Sequence, residues 1–129
     1  MTMEITALYA ALLGLLFIVL SFRVSKHRLA GHVSLGDGDN PDLAQAIRAH
    51  GNFAEYVPLA LILMGLAEAQ GAAAGLLHAL GAGLLLGRIA HAWGISQPNA
   101  VHNARKLGIV LTWLSIAVAS VYLLLAVLR

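Results

Sequence analysis

The first long segment of the chain, residues 5–22, contains no charged residue and is long enough to cross a membrane. It reads ITALYAALLGLLFIVLSF. A hydrocarbon core about 30 Å thick requires about 20 helical residues. A helix satisfies its backbone hydrogen bonds internally, which is essential because lipid offers neither donors nor acceptors. The segment therefore predicts a transmembrane helix, and this requirement restricts the fold more than any other feature.

Composition supports the same interpretation for the whole chain. Of 129 residues, 60% are hydrophobic and only 11% are charged, whereas a soluble domain has about 25% charged residues. Cysteine is absent, which excludes disulfides, thiolate nucleophiles and cysteine-based metal sites. The histidines show no paired ligand spacing, so we expect no metal. The net charge is only +2, and the basic residues do not form a solvated run. We therefore expect no binding of nucleic acid.

Three further apolar segments follow, and polar loops or turns separate them. The predicted helices cover about residues 5–22, 41–68, 73–94 and 107–128. Asp37-Gly38-Asp39-Asn40 is a turn signal. Asn40 suits the N-cap of the second helix and Pro41 its first position. The sequence therefore predicts an all-α fold, an integral membrane four-helix bundle that forms one domain over residues 1–129.

The basic residues predict how the bundle lies across the membrane. The loops at 23–40 and 94–106 contain Lys and Arg, and the turn between the second and third helices contains neither. By the positive-inside rule these two loops are cytoplasmic, and both termini lie on the opposite side. Trp93 and Trp113 are expected near the membrane surface.

The second helix carries a polar stripe inside an otherwise apolar segment. Arg48, Asn52 and Glu55 are spaced i, i+4 and i+7 and so share one side of an α-helix. Placing an Arg or Asp near the centre of a membrane helix costs about 2.5–3.5 kcal/mol. The stripe is therefore expected to face protein and not lipid. It is either a buried ion-pair network that locks the bundle or a functional site in a polar cavity.

Other basic residues are predicted to lie at the same membrane level. Arg88 and His91 are three residues apart on the third helix, Arg28 follows the first helix, and Arg105 precedes the fourth. Positive charge is then in surplus, which indicates an anionic ligand, since Arg holds carboxylates with two parallel hydrogen bonds. Glu55 is available for an ammonium group. This inventory fits a small zwitterionic or peptide-like molecule with an excess of carboxylate.

Three stretches of the chain resemble a known family. RAHGNFAEYVP, residues 48–58, resembles the second-helix signature of the MAPEG family, the membrane-associated proteins in eicosanoid and glutathione metabolism. RVSKHRLAGHVSLGDGDN is similar to the first cytoplasmic loop of bacterial members, and GRIAHAWG, residues 87–94, is similar to the third-helix motif. The resemblance covers nearly the whole chain. It implies a bacterial inner membrane protein.

The resemblance also implies an activity and a set of site residues. Family members are homotrimers that bind glutathione between neighbouring subunits and act on lipophilic electrophiles or hydroperoxides from the lipid bilayer. Glutathione would be a co-substrate of a transferase or peroxidase, and no metal would be required. Arg105 would be the catalytic residue that stabilises the thiolate. The implied glutathione contacts are Arg28, Arg48, Asn52, Glu55, Tyr56, Arg88 and His91.

Elementary chemistry gives a reason for these roles. Glutathione has two carboxylates for arginines, one ammonium for Glu55 and one thiol, whose pKa in a Cys-like group is about 8.5. A nearby guanidinium favours the thiolate. Three positions depart from the eicosanoid enzymes of the family: Gly51 stands where an Arg is found, Ile95 where a Tyr is common, and Lys106 where some relatives have a Ser. These departures argue against a dedicated prostaglandin or leukotriene synthase.

Two functions other than catalysis fit the same residues. A small membrane transporter is one, because four spans and one membrane carboxylate resemble the small multidrug exporters, although here Glu55 shares its stripe with a cation. A non-catalytic membrane module would use the polar stripe only to fix trimer packing. Proton-coupled binding at Glu55 would indicate a transporter, and no ligand binding at all would indicate the packing module.

Overall fold

The computed structural model describes residues 2–99 and 101–129, and its regular structure consists of four long helices. They are α1 (Glu4–Gly31), α2 (Pro41–Ala69), α3 (Ala74–Ile95) and α4 (Asn103–Val127). All four are long and apolar enough to cross a membrane. The prediction of an all-α, four-span membrane protein is therefore confirmed. Ala100, inside the predicted loop 94–106, lies outside the described residues.

Helix α1 extends nine residues beyond the predicted end at residue 22. The segment RVSKHRLAG is polar, but it contains no proline, and its glycine comes last. Hydropathy marks where the helix leaves the hydrocarbon and not where its hydrogen bonds stop. The helix ends at Gly31 and is capped by His32, which has φ 52° and ψ 37° and whose backbone N–H donates to the carbonyls of Arg28 and Leu29. The predicted loop 23–40 is thus half helix.

Helix α4 begins four residues before the predicted start at residue 107, so Arg105 and Lys106 lie in its first turn. His102 is the N-cap, and its Nδ1 accepts a hydrogen bond from the backbone N–H of Ala104 at 3.1 Å. Histidine is not among the usual N-cap residues, which explains why the sequence pattern did not indicate this start. By contrast, the predicted cap of α2 is confirmed, since Asn40 Oδ1 accepts from the backbone N–H of Asp42 at 3.0 Å and of Leu43 at 3.2 Å.

The four helices pack around two layers of apolar side chains. Helices α2 and α3 contact each other and both outer helices, whereas α1 and α4 do not contact each other in the described part of the chain. One core layer contains Leu13, Phe53 and Leu84, and the other contains Tyr9, Met64 and Leu77. Because α2 and α3 lie centrally, a polar residue on their facing sides is shielded from lipid.

Helices α3 and α4 approach closely because glycines stand at their contact. A Cβ on Gly94 would lie 2.3 Å from the backbone N of Arg105, and one on Gly108 would lie 2.4 Å from the carbonyl oxygen of Gly87. Any side chain at these positions would require the helices to separate. The glycines therefore place the first turn of α4 against the end of α3, next to His91.

At the opposite end of the bundle, a carboxylate on α2 binds the first turn of α1. Glu68, near the end of α2, accepts the backbone N–H of Ile5 at 3.0 Å and of Thr6 at 2.8 Å. Helix α1 has no side-chain cap of its own, and the first amides of a helix have no intrahelical partner. Glu68 thus caps α1, although it lies more than sixty positions further along the sequence.

Candidate ligand-binding site

A cavity of about 390 Å³ with both polar and apolar lining residues opens between α2, α3 and α4. Four of the predicted site residues lie on its wall. Asn52 and Tyr56 come from α2, His91 from α3, and Arg105 from the first turn of α4. The remaining lining residues are Val101, Lys106, Ile109 and Trp113. The structure therefore brings together one amide, one phenol, one imidazole and one guanidinium that are far apart in sequence.

The predicted stripe on α2 divides into two parts. Arg48 and Glu55 point outward and form an ion pair, with Arg48 Nη1 3.4 Å from Glu55 Oε1 and side-chain exposures of 56% and 54%. Asn52, between them, is only partly exposed and turns toward α3. The residues share a side of the helix, as predicted, but the stripe is wide enough that its centre reaches the protein interior while its flanks stay exposed.

Arg88 lies behind the cavity wall and not on it. Its exposure is 1%, and its Nη2 donates to Asn52 Oδ1 at 2.7 Å. Nη2 also lies 3.3 Å from His91 Nδ1, and Nη1 lies 3.4 Å from Thr112 Oγ1. Its Nε has no hydrogen-bond partner, and no carboxylate pairs with it among the described residues. A buried cation of this kind is costly and persists only when hydrogen bonds hold it.

A phenyl ring also supports the Arg88 guanidinium. The ring of Phe53 lies with its centroid 6.0 Å from Arg88 Cζ, which is the outer limit of a cation–π contact. Phe53 stacks in turn on Phe17 of α1, with the ring centroids 5.3 Å apart. The guanidinium is therefore held by groups from α2, α3 and α4, and its position depends on the packing of the whole bundle.

Arg28 does not line this cavity. Its Nη1 donates to the carbonyl oxygen of Gly36 at 2.8 Å and lies 3.5 Å from that of Val33. It lines a separate groove of about 580 Å³ between the end of α1 and the following loop, together with His32. These hydrogen bonds hold the loop against α1.

Arg105 and Lys106 occupy an electrostatically unusual place. The N-terminal end of a helix carries a partial positive charge, so cations in its first turn are unfavourable and anions are favoured. Both residues line the cavity at this end of α4. Two cations and the partial positive charge of a helix N-terminus thus lie beside one cavity, an arrangement that favours an anion there.

Sequence reasoning missed the apolar part of the cavity wall. Ile109 and Trp113 follow Arg105 at i+4 and i+8, so they lie on one stripe of α4. That spacing was a usable signal, but it required the knowledge that Arg105 is helical. Trp113 was predicted near the membrane surface; it lies ten residues into α4, half exposed, on the rim of the cavity.

Comparison with known proteins agrees with the resemblance seen in the sequence. The family model described as the MAPEG family matches residues 6–125. The inner membrane protein YecN of Escherichia coli strain K12 is 39% identical over 109 residues, which cover 84% of this chain and 82% of that protein. The protein of the same name from Escherichia coli O6:H1 matches with the same figures. No solved structure matches the chain. The predicted location, an integral protein of an inner membrane, is confirmed.

Proposed function

Because this chain belongs to the MAPEG family, we propose that it is a glutathione-dependent membrane enzyme. It joins the glutathione sulfur to a lipophilic electrophile, or reduces a lipophilic hydroperoxide to an alcohol and water while two glutathiones form a disulfide. The observation that carries the proposal is the cavity, in which Asn52, His91 and Arg105 from three helices meet. The polar side chains on its wall suit the carboxylates and the thiolate of the peptide.

Arg105 is the proposed thiolate-stabilising residue. Only the thiolate is a strong nucleophile, and a cation beside the bound thiol lowers the thiol pKa from its ordinary value of about 8.5. The N-terminus of α4 adds a positive partial charge at the same place. Arg105 acts electrostatically and not as a base, because a guanidinium does not release its proton. The thiol proton leaves to water through the cavity mouth.

A homotrimer is part of the proposal, and the ion pair on α2 supports it. Arg48 and Glu55 lie in a membrane-spanning helix and are more than half exposed in the isolated subunit. A charged pair facing lipid would be costly, so a neighbouring subunit is expected to cover it. In that interface Arg48 would bind a glutathione carboxylate and Glu55 the ammonium. Arg28 would be supplied by the adjacent subunit.

The apolar wall of the cavity supports a lipophilic second substrate. Val101, Ile109 and Trp113 lie beside Arg105, and Val101 and Trp113 are more than half exposed. An electrophile dissolved in the bilayer would therefore reach the sulfur from the side of α4. The aromatic face of Trp113 provides contact area for such a molecule at a small cost in conformational entropy.

Equilibrium binding of glutathione to the purified protein in detergent tests the proposal without a choice of electrophile. We expect saturable binding that is lost in Arg48→Ala, while the oligomeric state stays unchanged. Lys26→Ala, which removes an exposed cation outside the cavity, is the matched control and should bind normally. Absence of binding at millimolar glutathione in the wild-type protein would contradict the proposal.

A second measurement isolates the role of Arg105. Thiolate absorbs in the ultraviolet and the thiol does not, so difference spectra over a pH series report the pKa of bound glutathione. Arg105→Gln should raise that pKa toward its ordinary value while leaving part of the affinity. An unchanged thiol pKa in this variant would remove Arg105 from the mechanism.

A further inference from the structure

The buried Arg88 determines which hydrogen bonds the cavity can offer. It does not line the cavity, but it contacts two residues that do. Its Nη2 lies 2.7 Å from Asn52 Oδ1 and 3.3 Å from His91 Nδ1. Both partners have donor and acceptor atoms, since a side-chain amide and a neutral imidazole can each donate and accept hydrogen bonds. What they present to a ligand therefore depends on how Arg88 engages them.

A guanidinium has donors and no acceptor, so both contacts have a fixed direction. His91 Nδ1 must accept, which means that it carries no proton and that the imidazole is neutral with its proton on Nε2. The amide oxygen of Asn52 is likewise occupied, and its NH₂ group is left for other partners. His91 and Asn52 both line the cavity. The polar side-chain atoms of these two residues that do not contact Arg88, the Asn52 NH₂ group and His91 Nε2, are donors.

We propose that Arg88 is a positioning residue that converts the cavity wall into a set of hydrogen-bond donors, so that the cavity selects an anion and His91 does not act as a base. Together with Arg105, the wall then offers the donors of an amide, an imidazole N–H and a guanidinium. Of the four polar side chains on the wall, the Tyr56 hydroxyl can still accept, and Asn52 Oδ1 keeps the second of its two lone pairs beside Arg88. The inference rests on the proposed function only for the identity of the anion.

The orientation of Arg88 is itself constrained from α4. The Thr112 hydroxyl donates to the carbonyl oxygen of Gly108 at 2.9 Å. Its single proton is thereby used, and toward Arg88 Nη1, 3.4 Å away, it can only accept. Thr112 is fully buried. Three acceptors, one each from α2, α3 and α4, thus receive the donors of one guanidinium, and this fixes its plane relative to His91.

Nitrogen-15 NMR of histidine-labelled protein in detergent, without glutathione, tests the inference directly. The shifts of the two ring nitrogens identify the tautomer, and His91→Gln identifies the signals. We expect His91 as the neutral Nε2–H form in the wild-type protein. Arg88→Met, which fills a similar volume without a donor, should give a mixture of tautomers. The control Lys26→Ala, at an exposed residue outside the cavity, keeps all three contacts of Arg88 and should leave the Nε2–H form in place.

Two outcomes would overturn the tautomer assignment. One is a wild-type His91 that carries its proton on Nδ1 or exchanges between tautomers. The other is an Arg88→Met protein in which the Nε2–H form persists unchanged. If that variant does not fold, the wild-type spectrum alone decides. Because no glutathione is present, a negative result here is distinct from a failure of the proposed function.

A formate titration tests the selection of anions. Formate is the smallest carboxylate, and it should shift the His91 Nε2 signal in a saturable way. In Arg88→Met the apparent affinity for formate should be about tenfold weaker, the effect of losing hydrogen bonds to a charged group. No formate-dependent shift in the wild-type protein, or an equal affinity in the variant, would refute an anion-selecting wall.

Discussion

The contact between Gly94 and the start of α4 gives a sharp test of the structure. In Gly94→Ala the new Cβ would lie 2.3 Å from the backbone N and 2.9 Å from the Cα of Arg105. These are backbone atoms and cannot rotate away. An ordinary contact begins at 3.4 Å, so the two helices would have to separate locally by about 1 Å. The displaced residue is the proposed thiolate-stabilising one.

Two opposing contributions determine how much Gly94→Ala changes the free energy of unfolding. Extra volume in a well-packed contact costs about 1–3 kcal/mol. Replacing a helical glycine by alanine returns up to about 1 kcal/mol, because alanine loses less backbone entropy. The free energy of unfolding should therefore fall by about 0–2 kcal/mol in Gly94→Ala, and it should lie about 1–3 kcal/mol below that of a glycine-to-alanine variant without the overpacking. Glutathione binding should weaken in parallel, since Arg105 moves away from His91.

The matched control is Gly14→Ala, the same substitution in the middle of α1. A Cβ at Gly14 meets no atom within 4 Å, so only the favourable term remains and stability should be equal or higher. Reversible unfolding in mixed micelles of increasing dodecyl sulfate fraction, followed by circular dichroism, measures both variants. If Gly94→Ala were as stable as Gly14→Ala, the close approach of α3 and α4 described above would be wrong.

Three further substitutions test other contacts. Glu68→Ala removes the carboxylate that caps the first turn of α1; it should cost about 0.5–2 kcal/mol and speed hydrogen exchange at Thr6, and unchanged exchange there would contradict the cap. Asn40→Ala should cost a similar 0.5–2 kcal/mol in thermal unfolding, whereas Asn40→Gly should cost only a few tenths. Glu55→Gln should weaken glutathione binding by about 1.5–3 kcal/mol in calorimetry, and an unchanged affinity would exclude the ammonium role.

The fold was predictable because lipid leaves few alternatives. Four apolar segments of sufficient length must be helices in a membrane, and the cap at Asn40 identifies the start of α2. The helix ends at Gly31 and Asn103 were missed. Hydropathy predicts which part of a helix lies in lipid. It does not predict how far a polar part of the same helix extends into water.

The candidate site was predictable only in part. The stripe of Arg48, Asn52 and Glu55 follows from helical periodicity, and the cost of charge in lipid indicates that it faces protein. Periodicity on one helix does not tell which member of a stripe turns toward a neighbouring helix. In the bundle Asn52 turns inward to Arg88, while its two neighbours pair on the surface.

By itself, the sequence determined the number of spans, the residue types available to a ligand, and the family. Only the tertiary structure decided that Arg88 lies behind the wall while Arg105 lies on it. The reason is the close approach at Gly94 and Gly108, which sets α4 against α3 within contact distance of the backbone. Helix–helix distance is a property of two surfaces together, and no local pattern in either segment specifies it.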